Sequence, residues 1–104
     1  MTLRILVQTG FVAGALLAAA SPAALAYSGQ ELEKAAKITM QQASTIAAKA
    51  RPGKITDREL ERERGGSGLR YSFDVKSHGV TYEVGVDALT GKVLENKTEG
   101  PNPD

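Results

Sequence analysis

Cysteine and tryptophan are absent from the 104-residue chain, histidine occurs once, and aromatic residues make up only 5%. Without cysteine there is no disulfide, no thiolate metal site, no thiol nucleophile and no lipoprotein-type lipid anchor. The single histidine, His78, sits in the run Lys76-Ser77-His78-Gly79. Its neighbour Ser77 cannot present the opposed geometry that a nucleophile and its base require. His78 is therefore read as an exposed loop residue. There is also no phosphate-binding loop, and so small a chain offers little volume for a pocket. These absences argue against an enzyme. No catalytic residue is assigned, and neither a cofactor nor a bound metal is expected.

Long apolar runs are equally scarce, and the one present lies at the amino terminus. Met1 to Arg4 forms a short basic segment, Ile5 to Ala20 is mostly apolar, Ser21-Pro22 breaks it, and Ala24-Leu25-Ala26 is an A-x-A site. That layout is a secretory signal peptide over residues 1–26, cleaved after Ala26. The run is shorter than the ~20 residues that span a bilayer. The expected organisation is a leader at 1–26, one domain at 27–98 and a flexible tail at 99–104 carrying two prolines. Export to the periplasm or beyond is expected, with no membrane association after cleavage. Of the 13 Lys and Arg residues only Arg4 precedes Tyr27, so 12 basic residues face 12 acidic ones in the remainder. This balance speaks against a nucleic-acid partner, which selects a positive field.

What remains reads as an α+β domain. Ser28-Gly29-Gln30-Glu31 matches a capping box and predicts a short helix over 29–37 with Ser28 as its cap. Thr39-Met40-Gln41-Gln42 is a second box. Behind it Met40, Ala43, Ile46, Ala47 and Ala50 recur at helical spacing, predicting the main helix up to Pro52-Gly53. From Lys54 the period changes to two. Leu69, Tyr71, Phe73 and Val75 alternate with polar residues, as do Val80, Tyr82, Val84 and Val86. A four-residue loop at Lys76 to Gly79 would set Val75 against Val80, Phe73 against Tyr82, Tyr71 against Val84 and Leu69 against Val86. Ile55 and Leu60 have opposite parity, which predicts a bulge or a late start in the strand at 54–64. A last strand is expected from Lys92 to about Lys97. The fold expected is one main helix, with a short helix before it, on an antiparallel sheet of three or four strands.

Two groups of polar residues stand out. Asp57, Glu59, Glu61 and Glu63 alternate with Arg58, Leu60, Arg62 and Arg64, so on a strand the four carboxylates share one face. They are the candidate interaction surface, for a basic partner or for a cation, against the simpler reading of a charged edge that blocks aggregation. Asp87, Thr90 and Gly91 form the second group. An Asp accepting hydrogen bonds from the backbone ahead of it, closed by a glycine at positive φ, explains them as a structural turn.

Pro52-Gly53-Lys54-Ile55, Tyr71 to Val75 and above all Tyr82 to Leu94, with its Val-Asp-x-x-Thr-Gly core, follow one another in the order and spacing of a known pattern. In these segments the chain resembles the PepSY domain family over roughly 38–97. The resemblance implies a helix packed on an antiparallel sheet in an extracytoplasmic module, found in protease propeptides and as stand-alone exported proteins. It implies a role in inhibiting or regulating proteases and brings no agreed catalytic residues. The expectation is an exported, non-enzymatic binding module whose partner is a protein, with a peptidase as the candidate. The alternative is a small-ligand or metal-responsive envelope protein using the Asp57 to Glu63 stripe. The sequence leaves the oligomeric state open.

Overall fold

The computed structural model describes residues 26–100. All but the last residue of the expected leader, and the last four residues of the expected tail, lie outside the described residues. A 3-10 helix (Gln30–Ala35) precedes helix α1 (Met40–Ala50) and strands β1 (Lys54–Arg62), β2 (Leu69–Ser77), β3 (Val80–Asp87) and β4 (Val93–Thr98). The strands form one antiparallel sheet in the order β1-β2-β3-β4. Helix α1 covers one face of it.

Helix α1 begins where its capping box predicts. The Thr39 hydroxyl accepts from the Gln42 backbone N–H at 3.0 Å, and the Gln42 side chain accepts from the Thr39 N–H at 2.9 Å. Met40, Ala43 and Ala47 are buried along one stripe, with Ile46 and Ala50 half-buried beside it. The two buried alanines let the helix backbone approach the sheet closely. Opposite them lie Leu60, Leu69, Tyr71, Phe73, Val75, Val84 and Val86, all fully buried. Burying side chains of this size stabilises by ~1.5–3 kcal/mol each. The Tyr71 hydroxyl donates to the Ile38 carbonyl at 2.7 Å. The Ala88 carbonyl accepts from the N–H groups of Lys37 and Ile38, and the Ala88 N–H donates to Leu69. The chain entering α1 is thus pinned to the turn that leaves β3.

Two local expectations are corrected. Ser28 does not cap the first helix. Its carbonyl instead accepts from the Leu60 N–H at 2.9 Å, so Ser28 pairs with the outer edge of β1 as a parallel bridge to Glu59. Gly29 occupies the cap position at φ 86° without a side-chain bond. A Cβ there would stand 1.8 Å from the Leu60 carbonyl oxygen, which only glycine avoids. The helix is a single 3-10 stretch ending at Ala35, because the next residues leave it to reach Ala88.

The β2–β3 hairpin differs by two residues from the expected register. Ser77 opposes Val80, Val75 opposes Tyr82, Phe73 opposes Val84 and Tyr71 opposes Val86. The connection is only His78-Gly79, at φ 52° and 78°, and both signs suit a turn whose twist matches the flanking strands. A shift of two keeps every side chain on its expected face, since the strand period is two. The parity break in β1 is a register shift between Ile55 and Asp57. The last strand ends a residue beyond its expected end and carries a second shift at Gly85/Val86.

Candidate functional site

The open face of the sheet, away from α1, carries most of the chain's unusual polar chemistry, and it has two distinct parts. The first surrounds Asp87, at the end of β3. This side chain is 2% exposed. Its Oδ1 accepts from the Leu89 N–H at 2.8 Å, the Thr90 N–H at 3.1 Å and the Ser67 hydroxyl at 2.9 Å. Its Oδ2 accepts from the Ser67 N–H at 2.7 Å. Burial alone would raise the acid's pKa, but these donors outweigh it and bring it down to about 2. Thr90 Oγ1 accepts from the Lys92 N–H, and Gly91, at φ 81°, donates to the Asp87 carbonyl. Every polar atom of Asp87 that accepts is committed to the backbone or to Ser67. The group joins the loop before β2 to the turn after β3.

The second part is a carboxylate field. Residue pairing sets Asp57 against Asp74 and Asp74 against Glu83, so three acids lie directly opposite one another on three adjacent strands. Lys97 of β4 closes that row against Glu83. In the neighbouring row stand Glu59, Ser72, Gly85 and Glu95, and beyond it Glu61 opposite Arg70. Like charges directly opposite destabilise a sheet. The acids are shifted upward, by burial first and by one another second. Burial and then Asp57 raise Asp74, burial and then Glu95 raise Glu83, and burial followed by Glu61 raises Glu59. Glu63 is raised chiefly by its bond with Glu61 and is exposed beyond the end of β1. The Glu61 carboxylate also accepts from the Ser72 hydroxyl at 2.7 Å. Of the four acids singled out from sequence, Glu59 and Glu61 are half-buried and Asp57 and Glu63 exposed.

Arg70 links the two parts. It is 6% exposed and lies across Gly85, where a Cβ would come within 3.2 Å of its Nη1. Nη1 pairs with Glu95 at 3.1 Å and Nη2 donates to the Arg64 carbonyl at 2.8 Å. Its Nε is a buried donor without a partner among the described residues. Sequence reasoning confined to β1 missed Asp74, Glu83, Glu95 and Arg70. The outward parity of Asp74, Glu83 and Arg70 was readable, whereas that of Glu95 was not, because Val93 and Leu94 are adjacent apolar residues. The alignment of all four into rows depends on strand register.

The remaining candidates are placed more simply. His78 is exposed on the β2–β3 turn. Tyr71 is buried in the core, whereas Tyr82 is half-buried with the Arg51 guanidinium stacked 3.8 Å above its ring. An open cleft of about 570 Å³ runs between the N-terminal segment, α1 and the β1 bulge, lined among others by Tyr27, Ser44, Ile55, Asp57 and Arg58. Among the described residues no three His, Cys, Asp or Glu side chains are gathered so as to hold a metal ion. No described helix is long and apolar enough to cross a membrane. The rows of like charge on the open face suit electrostatic contact with a cationic surface.

This helix-on-sheet architecture and its Asp-turn coincide with a family match. Residues 37–97 match the family described as "Peptidase propeptide and YPEB domain", PepSY. The chain belongs to the PepSY family. The match runs from the segment pinned by Ala88 to the penultimate residue of β4, and so takes in α1, β1, β2, β3 and all but the last residue of β4. PepSY domains are generally non-catalytic propeptide or regulatory modules associated with peptidases, and they typically occur in exported proteins. No curated protein and no solved structure matches the chain significantly.

Proposed function

We propose that this PepSY protein is an exported, non-enzymatic binding module that regulates or inhibits a peptidase through the open face of its sheet. The leader at 1–26 would deliver it, and the domain at 27–98 would act after cleavage. The observation that carries the reading is the carboxylate row Asp57, Asp74, Glu83, extended by Glu59, Glu61 and Glu63. These like charges cost the isolated domain stability, and a basic surface on a partner would relieve the repulsion. The family association supports the class of partner.

The test is to add the purified protein to extracytoplasmic peptidases and measure binding together with residual activity. Binding at micromolar concentration that weakens with salt, and weakens roughly tenfold or more in Asp57→Lys/Asp74→Lys, is expected of an electrostatic contact. No binding to any such peptidase at micromolar concentration removes the proposal.

A further inference from the structure

The two edges of the sheet are not alike. At β1 the outer edge is occupied: Ser28 accepts from Leu60, and the 3-10 helix packs alongside. At β4 no strand or segment pairs with the outer edge among the described residues. The direction of its backbone groups follows from one bond. The Glu99 N–H donates to the Thr81 carbonyl at 2.9 Å, so in the unbroken pairing of 95–98 with 82–85 the groups of Glu95 and Lys97 also face β3. The N–H and C=O of Asn96 and Thr98 therefore point away from the sheet. The Asn96 side chain is held on the helix side, donating to the Ala50 carbonyl at 3.2 Å and accepting from the Arg51 Nε at 3.0 Å. That side chain fixes the strand without covering its outer edge.

We infer that β4 is a self-pairing edge, on which a second copy of this chain adds its own β4 antiparallel about a two-fold axis at Asn96. The charges select that axis. With Asn96 opposite Asn96 of the second copy, each Glu95 opposes a Lys97, and both pairs lie on the open face where antiparallel strands bring side chains closest. Moving the axis by one residue sets Glu95 against Glu95, or Lys97 against Lys97. An exposed lysine ordinarily guards an edge against pairing. Here Lys97 is bound by Glu95 of its own strand at 3.0 Å, and the two-fold supplies a second Glu95. The paired sheets would form one eight-stranded sheet, in which the row ending in Lys97 of one copy meets the row ending in Glu95 of the other. A single strand pair buries less area than a permanent dimer needs, so the association is weak and concentration-dependent. It is independent of whether a peptidase is the partner.

Sedimentation of the purified protein from about 10 µM to about 1 mM, with amide hydrogen exchange at both ends of the range, tests this. The expected result is a monomer–dimer equilibrium in which the Asn96 and Thr98 amides gain protection at high concentration. Thr98→Pro removes an N–H that bonds nothing within the monomer and should weaken the dimer roughly tenfold or more. Lys97→Glu sets two acids against each other and should weaken it similarly. If Thr98→Pro fails to fold, Lys97→Glu decides alone. A protein monomeric throughout the range overturns the inference. So does a dimer indifferent to the variants, or one whose protection falls on β1, or β4 amides protected only by a different protein.

Discussion

Asp87 and Asp74 are the same side chain on the same face of one sheet, thirteen residues apart, and the fold treats them in opposite ways. Asp87 is held by backbone and Ser67 donors, which depress its pKa to about 2 despite burial. Asp74 has acids on both neighbouring strands, and burial together with Asp57 raises it. One carboxylate is spent on architecture and the other is left in a repulsive field. The difference shows where to seek function in a PepSY module: in charges the domain would be more stable without.

The largest way to break that comparison is Asp87→Ala. It removes the buried acceptor shared by the part-buried N–H groups of Ser67, Leu89 and Thr90, and a loss of about 3 kcal/mol or more is expected. In a domain of this size that lowers the melting temperature by ~12 °C or more, readable by thermal and urea unfolding. A loss under ~1 kcal/mol would mean that water replaces the carboxylate and that the turn is not structural.

Arg70→Met should follow in size, at about 1–2 kcal/mol. The methionine keeps apolar bulk across Gly85, while Glu95 loses its buried partner and the Arg64 carbonyl its donor. The same unfolding experiments report it.

A pH titration of stability separates the two parts in one measurement. Asp87 is depressed, so its contribution is complete above 3.8 and is lost as pH falls toward about 2. Glu59, Asp74 and Glu83 are raised, so the native state binds more protons than the unfolded chain just above their ordinary values. Stability therefore rises as pH falls from neutral toward 4.5, then declines below 3.8. A monotonic loss from pH 7 downward would show that the acidic face is not under strain.

The smallest effect is the most diagnostic in sign. Asp74→Asn should stabilise by about 0.5 kcal/mol at neutral pH and low salt, by removing like-charge contact with Asp57 and Glu83. The gain should shrink in high salt and vanish below pH 3.8. Destabilisation at neutral pH would mean that Asp74 has a favourable partner in solution.

Much of this was readable from local pattern. The Thr39 to Gln42 capping box, the alanine stripe of α1, the parity break in β1 and the strand alternations each depend on residues a few positions apart. Ser28 to Glu31 has the same capping signature and fails, because the edge of β1 competes for Ser28 and only Gly29 fits beside Leu60. The acidic stripe was half visible: Asp57, Glu59, Glu61 and Glu63 are neighbours in sequence, whereas Asp74, Glu83 and Glu95 join them only across strands.

The sequence by itself determined the main helix, the strands, the face taken by the side chains of β2 and β3, and the family, because these follow from short-range periodicity and turn chemistry. Tertiary structure alone decided which acids stand opposite which, that Arg70 lies buried across Gly85, and that among the described residues one sheet edge is closed and β4 is left open. Register is the physical reason. A shift of two residues keeps every hydrophobic contact on its proper face, so the apolar pattern cannot tell one such alignment from the next, and it is the alignment that assembles the charges.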